Sequence, residues 1–238
     1  MVLKVFCKET EYLPGQKIEG YTVLKKAGEG RYGICYLVSK GSTYYIVKQL
    51  KRNVLKKAMI KAGLEAQILQ EIRHPNLPMF IDKINNNDFY GYVLEFKPGK
   101  TFEEIIFDDQ YIFDKKKIYD VAAQLIRILK YLHGCGVVHR DIRIPNTLFY
   151  KGTVFLVDFG LARWIDSEEY TVDIDFSYLG DFLLHLYYTS YEIKEKSKPW
   201  YKELDLKKDE LRFIKRLMGI DKSFKNIDEV ETEFLSIN

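Results

Sequence analysis

The chain has 238 residues, 47% of them hydrophobic, and its 37 basic residues against 34 acidic ones leave a formal charge of +3. That length and apolar fraction suffice for a sizeable core and suit one domain, at most bilobal, better than several. So small a charge excludes a nucleic-acid partner unless the cations gather into a stripe. The run Lys115-Lys116-Lys117 is too short for that and reads as a solvated helix start. No segment approaches the roughly eighteen apolar residues of a membrane-spanning helix, and MVLKVFCKETEYLPG is too weakly apolar for a signal peptide. Cys7, Cys35 and Cys135 show no CxxC spacing, and their odd number argues against a disulfide framework, so a cytoplasmic location is expected. His74, His133, His139 and His185 lie too far apart in sequence to suggest a zinc site.

From Tyr21 to Leu50, short apolar or β-branched runs punctuated by glycines predict three antiparallel strands joined by a glycine-rich turn and a Gly-Ser turn. Leu55 to Ile72 reads as a helix, with Leu64, Ile68 and Ile72 at helical spacing and His-Pro-Asn stopping it. Phe80 to Phe96 alternates around an Asn-rich turn as a hairpin does. After Lys97-Pro98-Gly99 the pattern changes to helical periods. Lys116 to His133 sets Ile118, Val121, Ala122, Leu125, Ile128, Leu129 and Leu132 on one stripe that ends at Gly134. The expectation is an α+β chain with a sheet-rich lobe over residues 1–97 and a mainly helical lobe over 98–238, with a ligand cleft where they meet.

Three motifs carry chemistry. Gly28-Glu29-Gly30-Arg31-Tyr32-Gly33 lies between two strands, which disfavours a dinucleotide-binding turn and favours a hairpin whose backbone amides lie over phosphates. In Tyr45-Ile46-Val47-Lys48, strand alternation turns Lys48 away from Val47 toward that phosphate position. Glu65, mid-helix, is placed to pair with it, with Glu71 as a competitor nearer the Pro75 break. The third motif is Val138-His139-Arg140-Asp141-Ile142-Arg143-Ile144-Pro145-Asn146, followed by a strand-like run and Asp158-Phe159-Gly160. HRDxxxxN and DFG, in this order after the glycine loop and lysine, resemble the eukaryotic-type protein kinase superfamily.

The resemblance runs from about Tyr21 to the C-terminus and implies a bilobal kinase fold that uses ATP and magnesium to phosphorylate a protein hydroxyl. It implies that Asp141 orients the acceptor hydroxyl and takes its proton, that Glu65 pairs with Lys48 and holds its ammonium on the α and β phosphates, and that Asn146 and Asp158 ligate magnesium. Arg143 stands where serine/threonine kinases usually carry lysine, and where some tyrosine kinases carry arginine. Leu94-Glu95-Phe96-Lys97-Pro98-Gly99 resembles the hinge, with Leu94 as gatekeeper and the Glu95 carbonyl and Lys97 amide facing adenine. Leu148 is part of the floor, and the loop residues Gly28, Glu29, Gly30 and Gly33 cover the phosphates. Ala27, Cys35 and Ile46 depart from the usual pocket residues, which implies a reshaped pocket rather than a filled one. Asp175, in the apolar run from Asp173, takes the role of the buried carboxylate that anchors the catalytic loop, and such a group needs backbone amide partners.

The pattern breaks after the DFG. Asp158 and Asp175 are seventeen positions apart, with no Ala-Pro-Glu between them, and the arginine that partners that glutamate in the family is replaced by lysine in Asp221-Lys222-Ser223-Phe224-Lys225. A reduced activation segment of this kind resembles short bacterial serine/threonine kinases. In many family members an arginine matching Arg140 pairs with a phosphorylated residue. Here Asp166, Glu168 and Glu169 either replace that charge or are solvated, and Ser167, Tyr170 and Thr171 are candidate phosphosites. A small-molecule kinase and a nucleotide-binding pseudokinase scaffold stay as alternatives; the former also dispenses with the peptide-docking segment, while intact Lys48, Asp141, Asn146 and Asp158 oppose the latter.

Overall fold

Period-two alternation from Ile34 to Leu50 gives the sheet two chemically distinct faces, and the function rests on that division. The computed structural model describes residues 11–30, 33–51, 55–86, 89–166, 168–192 and 198–237, without the side chains of 55–62. Cys7, Arg31, Tyr32 and Ser167 lie outside the described residues. The chain divides into two compact units, Met1–Lys97 and Pro98–Asn238.

The first unit contains β1 (Lys17–Ile18), β2 (Tyr21–Glu29), β3 (Gly33–Lys40), β4 (Thr43–Leu50), α1 (Leu55–Glu71), β5 (Phe80–Asn85) and β6 (Tyr90–Glu95). Its sheet runs β1-β2-β3-β4-β6-β5 with antiparallel neighbours throughout. One face buries Val23, Ile34, Tyr36, Val38, Val47 and Val93 in a common core with Phe89. The other carries Cys35, Lys48 and Tyr92 in one cross-strand row and Leu37, Ile46 and Leu94 in the next. A bulge between Lys26 and Gly28 leaves Ala27 without a cross-strand partner. Gly33 is needed for packing, since a Cβ there would lie 2.3 Å from the Gln49 carbonyl oxygen.

The second unit begins with β7 (Lys100–Thr101), α2 (Lys115–Gly134), β8 (Val137–Val138), β9 (Thr147–Tyr150), β10 (Thr153–Leu156) and β11 (Arg163–Trp164). It continues with α3 (Asp173–Tyr188), α4 (Trp200–Glu203), α5 (Lys208–Leu217) and α6 (Ile227–Leu235). The stripe on α2 is buried as the periodicity predicts, with Ile126 added to it. Asp114 caps this helix by accepting from the Lys117 amide at 2.8 Å. Three lysines at a helix N-terminus oppose its dipole. The Asp114 cap and a 3.0 Å ion pair from Lys115 to Glu210 offset that cost. Glu210 is 1% exposed and also accepts from the Tyr119 hydroxyl (2.7 Å), the Tyr187 hydroxyl (3.3 Å) and the Lys207 amide (2.6 Å), tying α2, α3 and α5 together. Its burial opposes ionisation, but these donors outweigh that and hold its carboxyl below the usual range. No helix among the described residues is long and apolar enough to cross a membrane.

Candidate active site

In the first unit, strand alternation delivers Lys48 to the face opposite the core, and α1 brings Glu65 to meet it. The ammonium lies 2.8 Å from both carboxylate oxygens, with Lys48 8% and Glu65 2% exposed. Glu71, the other carboxylate considered, is exposed. Two charged groups removed from water are tolerated only when paired and hydrogen-bonded, and here each supplies the other's partner. Tyr92 beside them is wholly buried; desolvation and the Glu65 charge push its phenol well above its ordinary pKa, so it stays neutral.

The glycine turn closes itself. The Gly30 amide donates to the Gly33 carbonyl at 2.9 Å. Glu29 pairs with Lys26 at 2.6 Å and Lys51 at 2.5 Å, and Lys51 also donates to the Gly30 carbonyl at 3.1 Å. Lys26 first, then Lys51, hold the Glu29 carboxyl down at about 2. Among the described residues a Cβ at Gly28 or Gly30 would meet nothing within 4 Å. Gly28 and Lys48 flank Cys35, and Ile46 adjoins buried Leu94. At the hinge, the Glu95 amide donates to the Met79 carbonyl at 2.8 Å. The Lys97 ammonium turns back to the Pro75 carbonyl (2.8 Å) and Glu95 (2.9 Å).

In the second unit, the loop from His139 to Asn146 is held from beneath by α3. Asp175, with no exposed surface, accepts from the His139 amide (2.9 Å) and the Arg140 amide (2.7 Å), with the His133 ring nitrogen at 3.0 Å. Those are the backbone partners its burial demands. They also hold Arg140 at φ 66°, a left-handed conformation that a non-glycine residue keeps only when its surroundings enforce it. Asp141 sits between Arg143, whose Nε reaches Oδ1 and whose Nη2 donates to Oδ2 at 3.0 Å, and Asn146, whose Nδ2 donates to Oδ2 at 2.7 Å. With its amide nitrogen directed at Asp141, Asn146 keeps Oδ1 as an oxygen donor. Asp158 is exposed, in a left-handed backbone at φ 59°, and its Oδ1 accepts from the Gly160 amide at 3.2 Å. Leu148 is half-buried on β9, opposite Thr101 and Phe155.

The short segment after Gly160 is firmly tied. Strand β11 pairs with β8, and the Ile165 amide donates to the Gly136 carbonyl at 2.7 Å. Asp166 then folds the chain into a tight turn. Its Oδ1 accepts from the amides of Glu168 (2.9 Å), Glu169 (2.7 Å) and Tyr170 (2.9 Å), and these bonds, Tyr170 first, lower its pKa. The reading in which an acid pairs with Arg140 is corrected here. Among the described residues no carboxylate lies within ion-pair distance of Arg140; the Tyr170 ring does, with the guanidinium carbon 4.6 Å from its centroid. The sequence offered no signal for this, because stacking depends on a turn that only Asp166 creates.

The comparisons agree with this geometry. A model of the protein kinase domain matches residues 21–206. The chain belongs to the protein kinase family. The kinase is 33% identical over 223 residues to the probable serine/threonine-protein kinase YbdM of Bacillus subtilis, covering 90% of this chain and 87% of that one. It is 30% identical to the serine/threonine-protein kinase Nek1 of Mus musculus over 79% of this chain but only 16% of that protein. It is 34% identical to the serine/threonine-protein kinase KIN28 of Saccharomyces cerevisiae over 62% of this chain and 49% of that one.

One consequence concerns pH. His139 is fully buried against the Phe159 ring, 4.7 Å between centroids, and desolvation lowers its pKa below the ordinary 6.5. The unfolded chain therefore binds a proton that the folded kinase refuses, and stability falls as pH drops below about 6.5, by at most about 1.4 kcal/mol per pH unit for one proton. His74, lowered by burial and then by Lys97, acts in the same direction. Urea midpoints measured between pH 8 and 5.5 are expected to fall on acidification, with a shallower slope in His139→Phe. Equal slopes in the two proteins would refute the assignment to His139.

Proposed function

We propose that Lys48, Glu65, Asp141, Arg143, Asn146 and Asp158 form the phosphoryl-transfer machinery of this chain, with ATP as donor and magnesium as the metal. The chain is a serine/threonine protein kinase, a reading supported by the family match and the printed names of its relatives. The observation that carries the residue assignment is the buried Lys48–Glu65 pair at 2.8 Å on the non-core face of the sheet. A lysine fixed there is a point charge prepared for phosphate oxygens.

In this reading Gly28, Glu29, Gly30 and Gly33 shape the turn that covers the phosphates, and Lys48 holds the α and β phosphates. Ala27, Cys35, Ile46, Leu94 and Leu148 form apolar walls for adenine, which bonds to the backbone of Glu95 and Lys97. Asn146 Oδ1 and the Asp158 carboxylate would hold magnesium, because hard oxygen donors suit it. Magnesium held there would supply positive charge against the phosphate oxygens. Asp141, restrained by Arg143 and Asn146, orients the acceptor hydroxyl and takes its proton. Arg143 is half exposed at its side chain and retains freedom to move its guanidinium toward the transferring group. A protein substrate, a cytoplasmic place and no nucleic-acid partner complete the reading.

The test is incubation of the protein with γ-labelled ATP, magnesium, casein and a mixture of small hydroxyl metabolites. Label on serine or threonine of protein is the expected result. Label confined to a metabolite would transfer the assignment to a small-molecule kinase, and ATP binding without any transfer would make the chain a scaffold.

A further inference from the structure

Two arginines of the second unit converge on one tyrosine. The guanidinium carbon of Arg140 lies 4.6 Å, and that of Arg163 6.0 Å, from the centroid of the Tyr170 ring. Arg163 is 6% exposed, and the Arg140 Nε is buried without a hydrogen-bond partner among the described residues. Among the described residues no carboxylate pairs with either; the Arg140 side chain donates to the Leu161 carbonyl at 3.4 Å and that of Arg163 to the Ala162 carbonyl at 2.6 Å. Two cations with no paired carboxylate among the described residues are stabilised by a negative surface, and the π face of Tyr170 supplies one.

The ring is delivered there by design of the turn. Asp166 accepts three successive amides ending at Tyr170, and the Asp166 amide donates to the Tyr170 carbonyl at 3.1 Å. Arg140 in turn is the residue before Asp141, with its own amide fixed by Asp175. A continuous set of contacts therefore runs from the activation segment to the residue adjoining the proposed base.

We infer that Tyr170 is a positioning residue whose ring, stacked on Arg140 and Arg163, locks the activation segment and catalytic loop in working order without a phosphate. This rests on the kinase reading above and names how that site is regulated. The phenolic hydroxyl lies in the plane of the ring, whereas the guanidinium groups lie over its face. The stacked contacts are therefore made by the ring and need neither the hydroxyl nor a phosphate on it.

The experiment compares wild-type protein, Tyr170→Phe and Tyr170→Leu, all produced with a co-expressed phosphatase, in transfer from ATP to casein and in amide hydrogen exchange. Tyr170→Phe keeps the ring and is expected to retain kcat within about twofold, whereas Tyr170→Leu loses about tenfold in kcat with KM for ATP changed by no more than about twofold. Exchange is expected to quicken in the Leu variant at residues 138–141, 163–166 and 168–171, with the thermal midpoint showing that the rest stays folded. Unchanged exchange and kcat in Tyr170→Leu would overturn the lock, and so would a Phe variant as impaired as Leu, which would assign the effect to the hydroxyl and not to the ring. Wild-type protein that transfers no phosphate would strike the kinase reading alone, because the exchange comparison decides the lock independently.

Discussion

Asp158→Asn is expected to lower the rate of phosphoryl transfer by about 10² to 10³ while leaving the fold intact. The backbone at Asp158 is left-handed, φ 59° and ψ 82°, a conformation that asparagine tolerates as well as aspartate. The side chain is exposed, and its Oδ1 accepts from the Gly160 amide, a bond that an asparagine carbonyl also accepts. What the substitution removes is the negative charge on a hard oxygen donor, and that is what a magnesium ligand supplies. Lys48→Met is expected to fall by a similar factor, but with a structural cost as well, because it strands Glu65, 2% exposed, without its cation. Stopped-time assays with labelled ATP over a range of magnesium concentrations, alongside circular dichroism, check both variants. Wild-type rates in Asp158→Asn at ordinary magnesium would remove Asp158 from the metal site.

Asp175→Ala is expected to be the most damaging single change to stability in the second unit. The carboxylate satisfies the amides of His139 and Arg140 from a position with no exposed surface. Leaving buried donors unsatisfied costs about 1 to 3 kcal/mol each, so for two amides a loss of roughly 2 to 6 kcal/mol is expected. The same change frees Arg140 from its left-handed backbone, and Asp141 follows in the chain. Activity should therefore fall further than the population of unfolded protein accounts for. Asp175→Asn keeps one acceptor oxygen and is expected to lie between. Denaturant midpoints and kcat measured on the same preparations test the pairing; a stable Asp175→Ala protein with normal kcat would show that the loop holds its shape unaided.

The α+β class and most long elements are legible in the sequence because each has a strong local period. The α2 stripe and the strand alternation around Lys48 are of that kind, and alternation alone is enough to turn Lys48 from the core. The strands β1, β7, β8 and β11 are not legible, since two residues carry no period and pair only because tertiary folding brings a partner strand alongside. The hub at Glu210 is invisible for a related reason: a glutamate in an amphipathic helix reads as exposed, and its burial comes from Tyr119, Tyr187 and Lys115 on other elements.

Residue type and order by themselves determined the chemistry proposed for this protein: which groups are charged, which donate oxygen, which turns need glycine, and that Asp175 would require amide partners. Only the tertiary structure decided which charges meet. It joined Lys48 to Glu65 across seventeen residues, gave Gly33 a packing role against Gln49, and set Tyr170 rather than an acid on Arg140. The physical reason is range. Strand and helix periods act between near neighbours and are written in local sequence. An ion pair or a stacked ring depends on distances of a few ångströms between distant residues, and those are fixed only when the chain packs.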